Sequence, residues 1–127
     1  MKLTIQMGAL LALVSSQLVH GWNATIYDSG NCAGNRYHIY PLTQYTKYFE
    51  MDGSWGAEID CTFEDIKNGT AGPCKDQFPV GKSVFTSVGS CKTYSGGHSS
   101  GEREASQKEG ECKTTGFSIR SVVCYDG

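Results

Sequence analysis

Short runs of alternating apolar and polar residues, separated by turn-forming Gly, Asp, Asn and Pro, fill the chain beyond residue 21. Alternation with a period of two is typical of strands that bury one face. No long stretch has the apolar spacing of an amphipathic helix. The pattern predicts strands at residues 22–27, 36–40, 45–51, 57–63, 82–94 with a break near Gly89, and 117–125. The predicted fold class is therefore all-β.

Two polar segments lack this alternation. Residues 67–73 combine Asn, Gly and Pro and are interpreted as a loop between strands. Residues 95–115 are rich in Gly, Ser, Glu and Lys and show no periodicity. Such a composition predicts a long exposed loop, tethered to the rest of the domain by Cys112.

The N-terminus has the features of a secretory signal peptide. Lys2 precedes the apolar run of residues 7–14, which is followed by small and polar residues and is too short to span a bilayer. We expect the signal peptide to be residues 1–21, with cleavage after Ser16 as the alternative. Residues 22–127 would then form a single cysteine-rich β domain.

Charge restricts the partners of this domain. The chain carries 11 basic and 13 acidic side chains, and one of the basic ones, Lys2, belongs to the signal peptide. An acidic domain is poorly suited to bind nucleic acids or anionic membranes, which attract basic surfaces. No later segment is apolar over the length of a membrane span, so we expect a secreted monomer without stable membrane insertion.

Six cysteines lie beyond the signal peptide: Cys32, Cys61, Cys74, Cys91, Cys112 and Cys124. An even set of cysteines in a secreted chain is normally paired, so we expect three disulfides, and the sequence leaves all 15 pairings open. No two cysteines have the C-x-x-C spacing of metal or redox sites, so no metal and no cofactor is predicted. Each bridge would add roughly 2–4 kcal/mol, which matters because large aliphatic residues are scarce.

Two N-x-Thr sequons begin at Asn23 and Asn68. The signal peptide would carry both through the compartment in which such asparagines are modified. The sequence therefore predicts a secreted glycoprotein.

Tyr27, Cys32 and Gly34 follow the spacing aromatic-x4-aromatic-x-Gly, with cysteine at the second aromatic position. This segment resembles the opening of a βγ-crystallin Greek-key motif. In that family the first aromatic packs over a folded hairpin, and the glycine adopts a backbone conformation that other residues disfavour. Ser118 and Arg120, in a Ser-Ile-Arg segment, are similar to the closing strand of the same family. The resemblance implies a small, disulfide-stapled Greek-key β-sandwich, although no clean second copy of the opening motif is evident.

The calcium-binding form of the family uses an acidic or Asn pair, two further residues and then two hydroxyl residues. The matching positions here are 116–121, which lack the acidic pair and the first hydroxyl. We therefore predict no calcium site at these positions.

Four residues could supply the acid–base chemistry of a small secreted ribonuclease: His38, Glu58, His98 and Arg120. Such a reaction needs an acid, a base and a cation around one phosphate. The alternative interpretation is structural, with His38 on an edge strand and His98 in a solvated loop.

Carbohydrate chemistry is a further possibility. Glu58 and Asp60 could form the carboxylate pair of a glycosidase. Trp55 lies between glycines in the loop of residues 53–56 and is the best candidate for an exposed aromatic contact with a sugar.

The resemblance also implies a function. Small secreted βγ-crystallin-like domains with three disulfides are similar to killer-toxin and antimicrobial proteins and to the extracellular effectors of plant-associated fungi. We therefore expect a non-enzymatic module that acts outside the cell on a host or a competing microbe. Its target, a protein or a cell-wall glycan, would contact loops such as 53–56 and 95–115. The alternatives are a small hydrolase, ribonuclease before glycosidase, and a protease inhibitor.

Overall fold

The computed structural model describes residues 21–43, 48–51, 58–74 and 81–126. These residues form two antiparallel sheets and contain no helix, which confirms the all-β prediction. The strands are β1 (Asn23–Tyr27), β2 (Arg36–Pro41), β3 (Tyr48–Glu50), β4 (Ile59–Asp65), β5 (Thr70–Pro73), β6 (Gly81–Val88), β7 (Ser90–Gly96), β8 (Ser100–Gln107), β9 (Cys112–Ile119) and β10 (Ser121–Tyr125). The predicted signal peptide falls almost wholly outside the described residues.

The two sheets exchange strands between the two halves of the chain. The large sheet has the order β5-β4-β2-β1-β6-β9, and the small sheet has the order β3-β10-β7-β8. Here the first half means β1–β6 and the second half means β7–β10. Strand β3 comes from the first half but pairs with β10, whereas β9 comes from the second half but pairs with β6. Each sheet is therefore completed by the other half of the chain. The Greek-key connectivity that the resemblance implies stays a prediction.

The prediction of a long loop at residues 95–115 is wrong. This segment contains β8 and the first half of β9, which are edge strands of the small and the large sheet respectively. Most of their side chains are exposed, and only Gln107 and Ile119 are buried. An edge strand with so little buried surface needs few apolar residues, because its neighbour supplies the backbone hydrogen bonds. Its sequence consequently lacks the alternation that marks the other strands.

Three other predicted segment boundaries can be compared with the strands of the structure. The loop predicted at residues 67–73 contains β5, a short edge strand. The strand predicted at residues 117–125 is two strands, because β9 ends at Ile119 and β10 begins at Ser121 in the other sheet. The predicted break near Gly89 is confirmed, since this residue has φ +84° and separates β6 from β7.

The core lies between the two sheets. Ile26, Ile39 and Val84 project from the large sheet and are fully buried, as are Phe49 and Val122 of the small sheet. The aromatic residues predicted to fill a core poor in aliphatic residues contribute as well. They include Trp22, which is 3% exposed, and Tyr37, which stacks on Phe63 with 4.9 Å between ring centroids.

All six cysteines are paired, as predicted, and the structure selects one of the pairings that the sequence left open. Cys32–Cys112 joins the β1–β2 turn to β9, Cys61–Cys74 joins β4 to the end of β5, and Cys91–Cys124 crosses between β7 and β10. Cys91 and Cys124 are direct partners in the strand register and are both buried.

The β1–β2 turn and the β7–β8 turn have the same backbone conformation. Tyr27 and Tyr94 each stand seven positions before a glycine. Left-handed residues fall at equivalent positions after each tyrosine: Asn31, Cys32 and Gly34 in the first turn, and His98, Ser99 and Gly101 in the second. Within the described residues, no other non-glycine residue has a positive φ. The two turns therefore share a spacing from tyrosine to glycine and a set of left-handed positions, although residues 94–101 lack the second aromatic residue of the motif.

One buried serine fastens each of these turns to the sheet beneath it. Ser83 of β6 donates to the carbonyl of Ser29 at 2.6 Å and accepts from the N–H of Cys32 at 2.9 Å. Ser121 of β10 makes the same two bonds at the equivalent positions of the second turn, at 2.6 and 3.1 Å. Both serines are fully buried. They form two copies of one structural clamp.

Each turn also makes a contact with the strand that the other half contributes to its sheet. In the first half, Thr114 of β9 accepts a hydrogen bond from the N–H of Asn31 at 2.9 Å. In the second half, Glu50 of β3 accepts one from the N–H of His98. Asn31 and His98 are equivalent positions in the two turns, so the two halves form an internal repeat.

We expect Ser83→Ala and Ser121→Ala to destabilise the protein to a similar extent, by about 1–3 kcal/mol each. Either change removes two hydrogen bonds and leaves a turn N–H without its acceptor. Ser87→Ala on β6 is the control, because this serine is exposed and should change the free energy of unfolding by less than about 0.5 kcal/mol. Urea denaturation followed by circular dichroism measures all three. Equal free energies of unfolding for Ser83→Ala and Ser87→Ala would show that the hydrogen bonds of Ser83 do not stabilise the turn.

Candidate functional site

An open depression of about 310 Å³ lies on the outer face of the large sheet, which points away from the small sheet. Side chains from four adjacent strands line it: Asn23, Thr25 and Tyr27 of β1, Arg36 and His38 of β2, Glu64 of β4, and Phe85 and Ser87 of β6. The intervening residues of β1, Ala24 and Ile26, are fully buried in the core. Strand alternation thus separates a core face from a candidate binding face.

The strand register fixes which of these side chains are neighbours. Thr25 is paired with His38 on one side and with Phe85 on the other. Arg36 is paired with Tyr27 and with Glu64. Directly paired residues of antiparallel strands share a face and lie close together. The register therefore assembles the lining from residues far apart in the sequence.

Thr25 and His38 form a hydrogen bond at the centre of the depression. The Thr25 Oγ1 to His38 Nδ1 distance is 2.9 Å. When the threonine hydroxyl donates to Nδ1, the neutral imidazole carries its proton on Nε2 and can donate to a ligand. The bond also orients the ring, because Thr25 itself is almost completely buried.

Arg36 and Glu64 form an ion pair at the edge of the depression. The Nη2 and Nε atoms of Arg36 lie 2.8 and 2.9 Å from Glu64 Oε2. The hydrogen bond to Glu64 is the main cause that raises the pKa of Arg36, so the guanidinium keeps its charge. Since both side chains are about 40% exposed, the pair can reach a ligand but adds little to stability.

The four residues predicted for ribonuclease chemistry are not brought together. His38 lies in the depression, on a strand between β1 and β4, so its interpretation as an edge-strand residue is wrong. Glu58 precedes β4, and its carbonyl accepts from the N–H of Leu42. His98 and Arg120 belong to the other sheet and its turns.

His98 has a defined structural partner. Its side chain is exposed, but its N–H donates to Glu50, whose carboxylate is buried and also accepts from the hydroxyl of Tyr48. The His98 Nδ1 atom lies 3.4 Å from the same carboxylate. These contacts hold the second turn against β3, so His98 belongs to an ordered hairpin turn and not to the long loop that the sequence predicted.

The other predicted site residues have separate positions. Asp60 accepts a hydrogen bond from Tyr40, which raises the pKa of this tyrosine, and Glu58 lies outside β4. Ser118 is exposed on β9 and lies 3.4 Å from the ammonium of Lys82. Trp55 lies outside the described residues.

The sequons occupy different surroundings. Asn23 lies in the lining of the depression, whereas Asn68 lies in the exposed turn between β4 and β5.

Arg36 and Glu64 were missed by the sequence reasoning. Their signal was the alternation of Arg36 and His38 on one strand, but the pairing of Arg36 with Glu64 requires the register.

The turn at Asn68 makes a testable pH prediction. Asp65 accepts hydrogen bonds from the N–H and Nδ2 of Asn68, at 3.1 and 2.8 Å, and these bonds lower the pKa of Asp65 below its ordinary value of 3.8. A depressed folded-state pKa means that the bonds stabilise the turn above pH 3.8 and are lost as the pH falls through the folded-state pKa. We expect the Asn68 amide resonances to shift in this acidic range during an NMR titration. The same pH dependence in Asp65→Asn would contradict this assignment.

Comparison of this chain with protein-family models, curated proteins and solved structures finds no match. Across the described part of the chain, no helix is long and apolar enough to cross a membrane. The same residues contain no group of three or more His, Cys, Asp or Glu side chains arranged to hold a metal ion.

Proposed function

We propose that this chain is a secreted, non-enzymatic effector or toxin-like module, which binds an extracellular target of a host or competing microbe through the depression on the large sheet. The observation that carries the proposal is the composition of this face. Hydrogen-bonding groups, two aromatic rings and an exposed ion pair converge there on adjacent strands of a rigid sheet. Such a combination is typical of binding sites.

The three disulfides support action outside the cell. Disulfides persist in oxidising compartments and are common in small secreted domains. Here they join strands in both sheets and one turn, so the binding face is held on a cross-linked scaffold. A preorganised surface of this kind loses little conformational entropy on binding.

The internal repeat supports the family resemblance on which the effector hypothesis depends. Gly34 has φ +90°, in agreement with the conformation expected of the motif glycine, and Gly101 repeats it with φ +114°. The order β4-β2-β1-β6 within the large sheet places β6 next to β1 after a long connection, as in a Greek key. Two Greek-key units that exchange β3 and β9 are thus the arrangement we favour.

A ribonuclease-like hydrolase is the second candidate. One observation favours it, because His38, Arg36 and Glu64 share the depression and are the residue types that phosphodiester cleavage uses. The second histidine of the predicted set lies on the other sheet, and Arg36 is already paired with Glu64. We therefore place binding ahead of catalysis. Protease inhibition stays a prediction of the sequence.

Binding of the labelled, secreted protein to intact plant and microbial cells tests this proposal, with His38→Ala and His98→Ala as a matched pair. Loss of the His38 hydrogen bonds should weaken cell binding about five- to tenfold, and His98→Ala should leave it unchanged because His98 lies outside the depression. Equal binding by both variants and the wild type would show that the depression is not the binding site. RNA hydrolysis that is lost only in His38→Ala would favour the hydrolase.

A further inference from the structure

We propose that the depression binds a neutral saccharide, such as a segment of a cell-wall or cell-surface glycan. This inference rests on the proposed function and specifies its ligand. It follows from three properties of the lining: its charge balance, its distribution of hydrogen-bond donors and acceptors, and its two aromatic rings.

Charge balance disfavours an anionic ligand. Apart from the imidazole of His38, the only charged groups in the lining are the Arg36 guanidinium and the Glu64 carboxylate, which neutralise one another. A phosphate or sulfate would have to approach Glu64 or displace it from Arg36. RNA would additionally require a basic surface around the site, whereas the chain has a formal net charge of −2.

The same ion pair suits a ligand with adjacent hydroxyl groups. Both contacts that Arg36 makes with Glu64 end on Oε2, so the Oε1 oxygen can accept from one hydroxyl. The guanidinium carries further N–H groups that can donate to a neighbouring hydroxyl. A sugar hydroxyl donates and accepts at once, and His38 lies diagonally across the strand register from Glu64 to bind another. Neutral hydroxyls thereby satisfy both charges without separating them.

The aromatic rings supply the apolar part of the site. Tyr27 and Phe85 are half-buried and lie in the lining on neighbouring strands, β1 and β6. Their rings can cover the C–H face of a sugar ring, which is how aromatic side chains combine apolar contact with polar edges. A volume of about 310 Å³ is at the lower limit of small-molecule sites, enough for about one or two sugar rings. Because the depression is open, a longer chain can pass across it.

Isothermal titration calorimetry with chitohexaose, laminarihexaose and mannohexaose tests the inference on the secreted protein. The inference requires that the sequon at Asn23 is unoccupied, unlike the predicted modification, because a glycan attached there would cover the site. Intact mass of the secreted protein checks this, and a glycan found on Asn23 would overturn the inference. We expect at least one of the three probes to bind, and Phe85→Ala to weaken that binding about five- to tenfold. Tyr125→Ala is the matched control, since this tyrosine is exposed on β10 of the other sheet.

Glu64→Gln separates a neutral ligand from an anionic one without removing a side chain. This variant leaves Arg36 unpaired in charge, so it should strengthen binding of polyphosphate while leaving the neutral probe within about threefold of wild type. Binding of wild type to polyphosphate in preference to all three sugars would overturn the inference. If none of the three sugars binds, while cell binding still depends on His38, the ligand is not a neutral saccharide of these types, and the inference is wrong. The proposed function would then still stand. Loss of that His38 dependence would reject the proposed function itself.

Discussion

Replacing Cys91 and Cys124 together with alanine is expected to lower the free energy of unfolding by about 4 kcal/mol. The bridge joins residues 33 positions apart, and restricting a loop of that length in the unfolded chain contributes roughly 3–4 kcal/mol. Both cysteines are also buried, at 2% and 0% exposure, so alanine leaves unfilled volume between the sheets. The corresponding fall in melting temperature is roughly 15–25 °C.

The double variant Cys61→Ala with Cys74→Ala is the matched control. This bridge closes a separation of 13 residues between β4 and the end of the edge strand β5, so its loss should be smaller and confined to that edge of the large sheet. Thermal melts monitored by circular dichroism compare the two variants. Melting of the Cys91/Cys124 variant within about 5 °C of wild type, roughly 1 kcal/mol, would contradict the role assigned to the small-sheet bridge.

Gly101→Ala is expected to destabilise the protein by about 3 kcal/mol or more. A Cβ at this position would lie 2.4 Å from the backbone nitrogen of Gly96 and 2.5 Å from the hydroxyl of Ser95. The first of these atoms is backbone, so relief requires movement of the β7–β8 turn. The φ of +114° adds a conformational cost of about 1–3 kcal/mol for any residue with a side chain.

Gly110→Ala separates the two costs. Gly110 has φ +74°, and no heavy atom lies within 4 Å of the position that its Cβ would occupy. This control should lose about 1 kcal/mol, the cost of a left-handed backbone alone. Urea denaturation gives both values. A stability of Gly101→Ala equal to that of Gly110→Ala would show that the turn does not pack as tightly as the repeat requires.

The fold class could be predicted because strands that bury one face show their alternation in the sequence. Strand β1 is the clearest case, with Ala24 and Ile26 facing the core and Thr25 between them on the outer face. Strand β8 and residues 112–116 of β9 could not be recognised, since edge strands with exposed side chains leave no such alternation. The disulfide pairing was also beyond reach, because it depends on which strands are neighbours.

The internal repeat was missed for a specific reason. In the second copy, serine occupies position 99, where the motif has its second aromatic residue, and glycine is frequent around it. The two halves share backbone geometry and a serine, which lies in Lys82-Ser83-Val84 within β6 and in Arg120-Ser121-Val122 at the start of β10. Those short matches are a usable signal only once the turns are known to be equivalent.

Part of the candidate site was visible in the sequence. His38 was singled out as a chemically competent residue, and it lies in the depression. The residues that surround His38 in the depression could not be predicted. Glu58, His98 and Arg120 were chosen by residue type, whereas strand pairing determines which residues are neighbours of His38. Arg36 and Glu64 are 28 positions apart and meet only because β2 pairs with β4.

Chemical-shift mapping of the isotope-labelled protein tests the central proposal most directly, namely that the outer face of the large sheet binds an extracellular ligand. Soluble polysaccharide extracted from plant and microbial cell surfaces would be titrated into the protein. We expect the largest shifts at Thr25, His38 and Phe85, while the amides of the β7–β8 turn stay unchanged. Shifts centred on that turn, or no shifts at saturating polysaccharide, would contradict it.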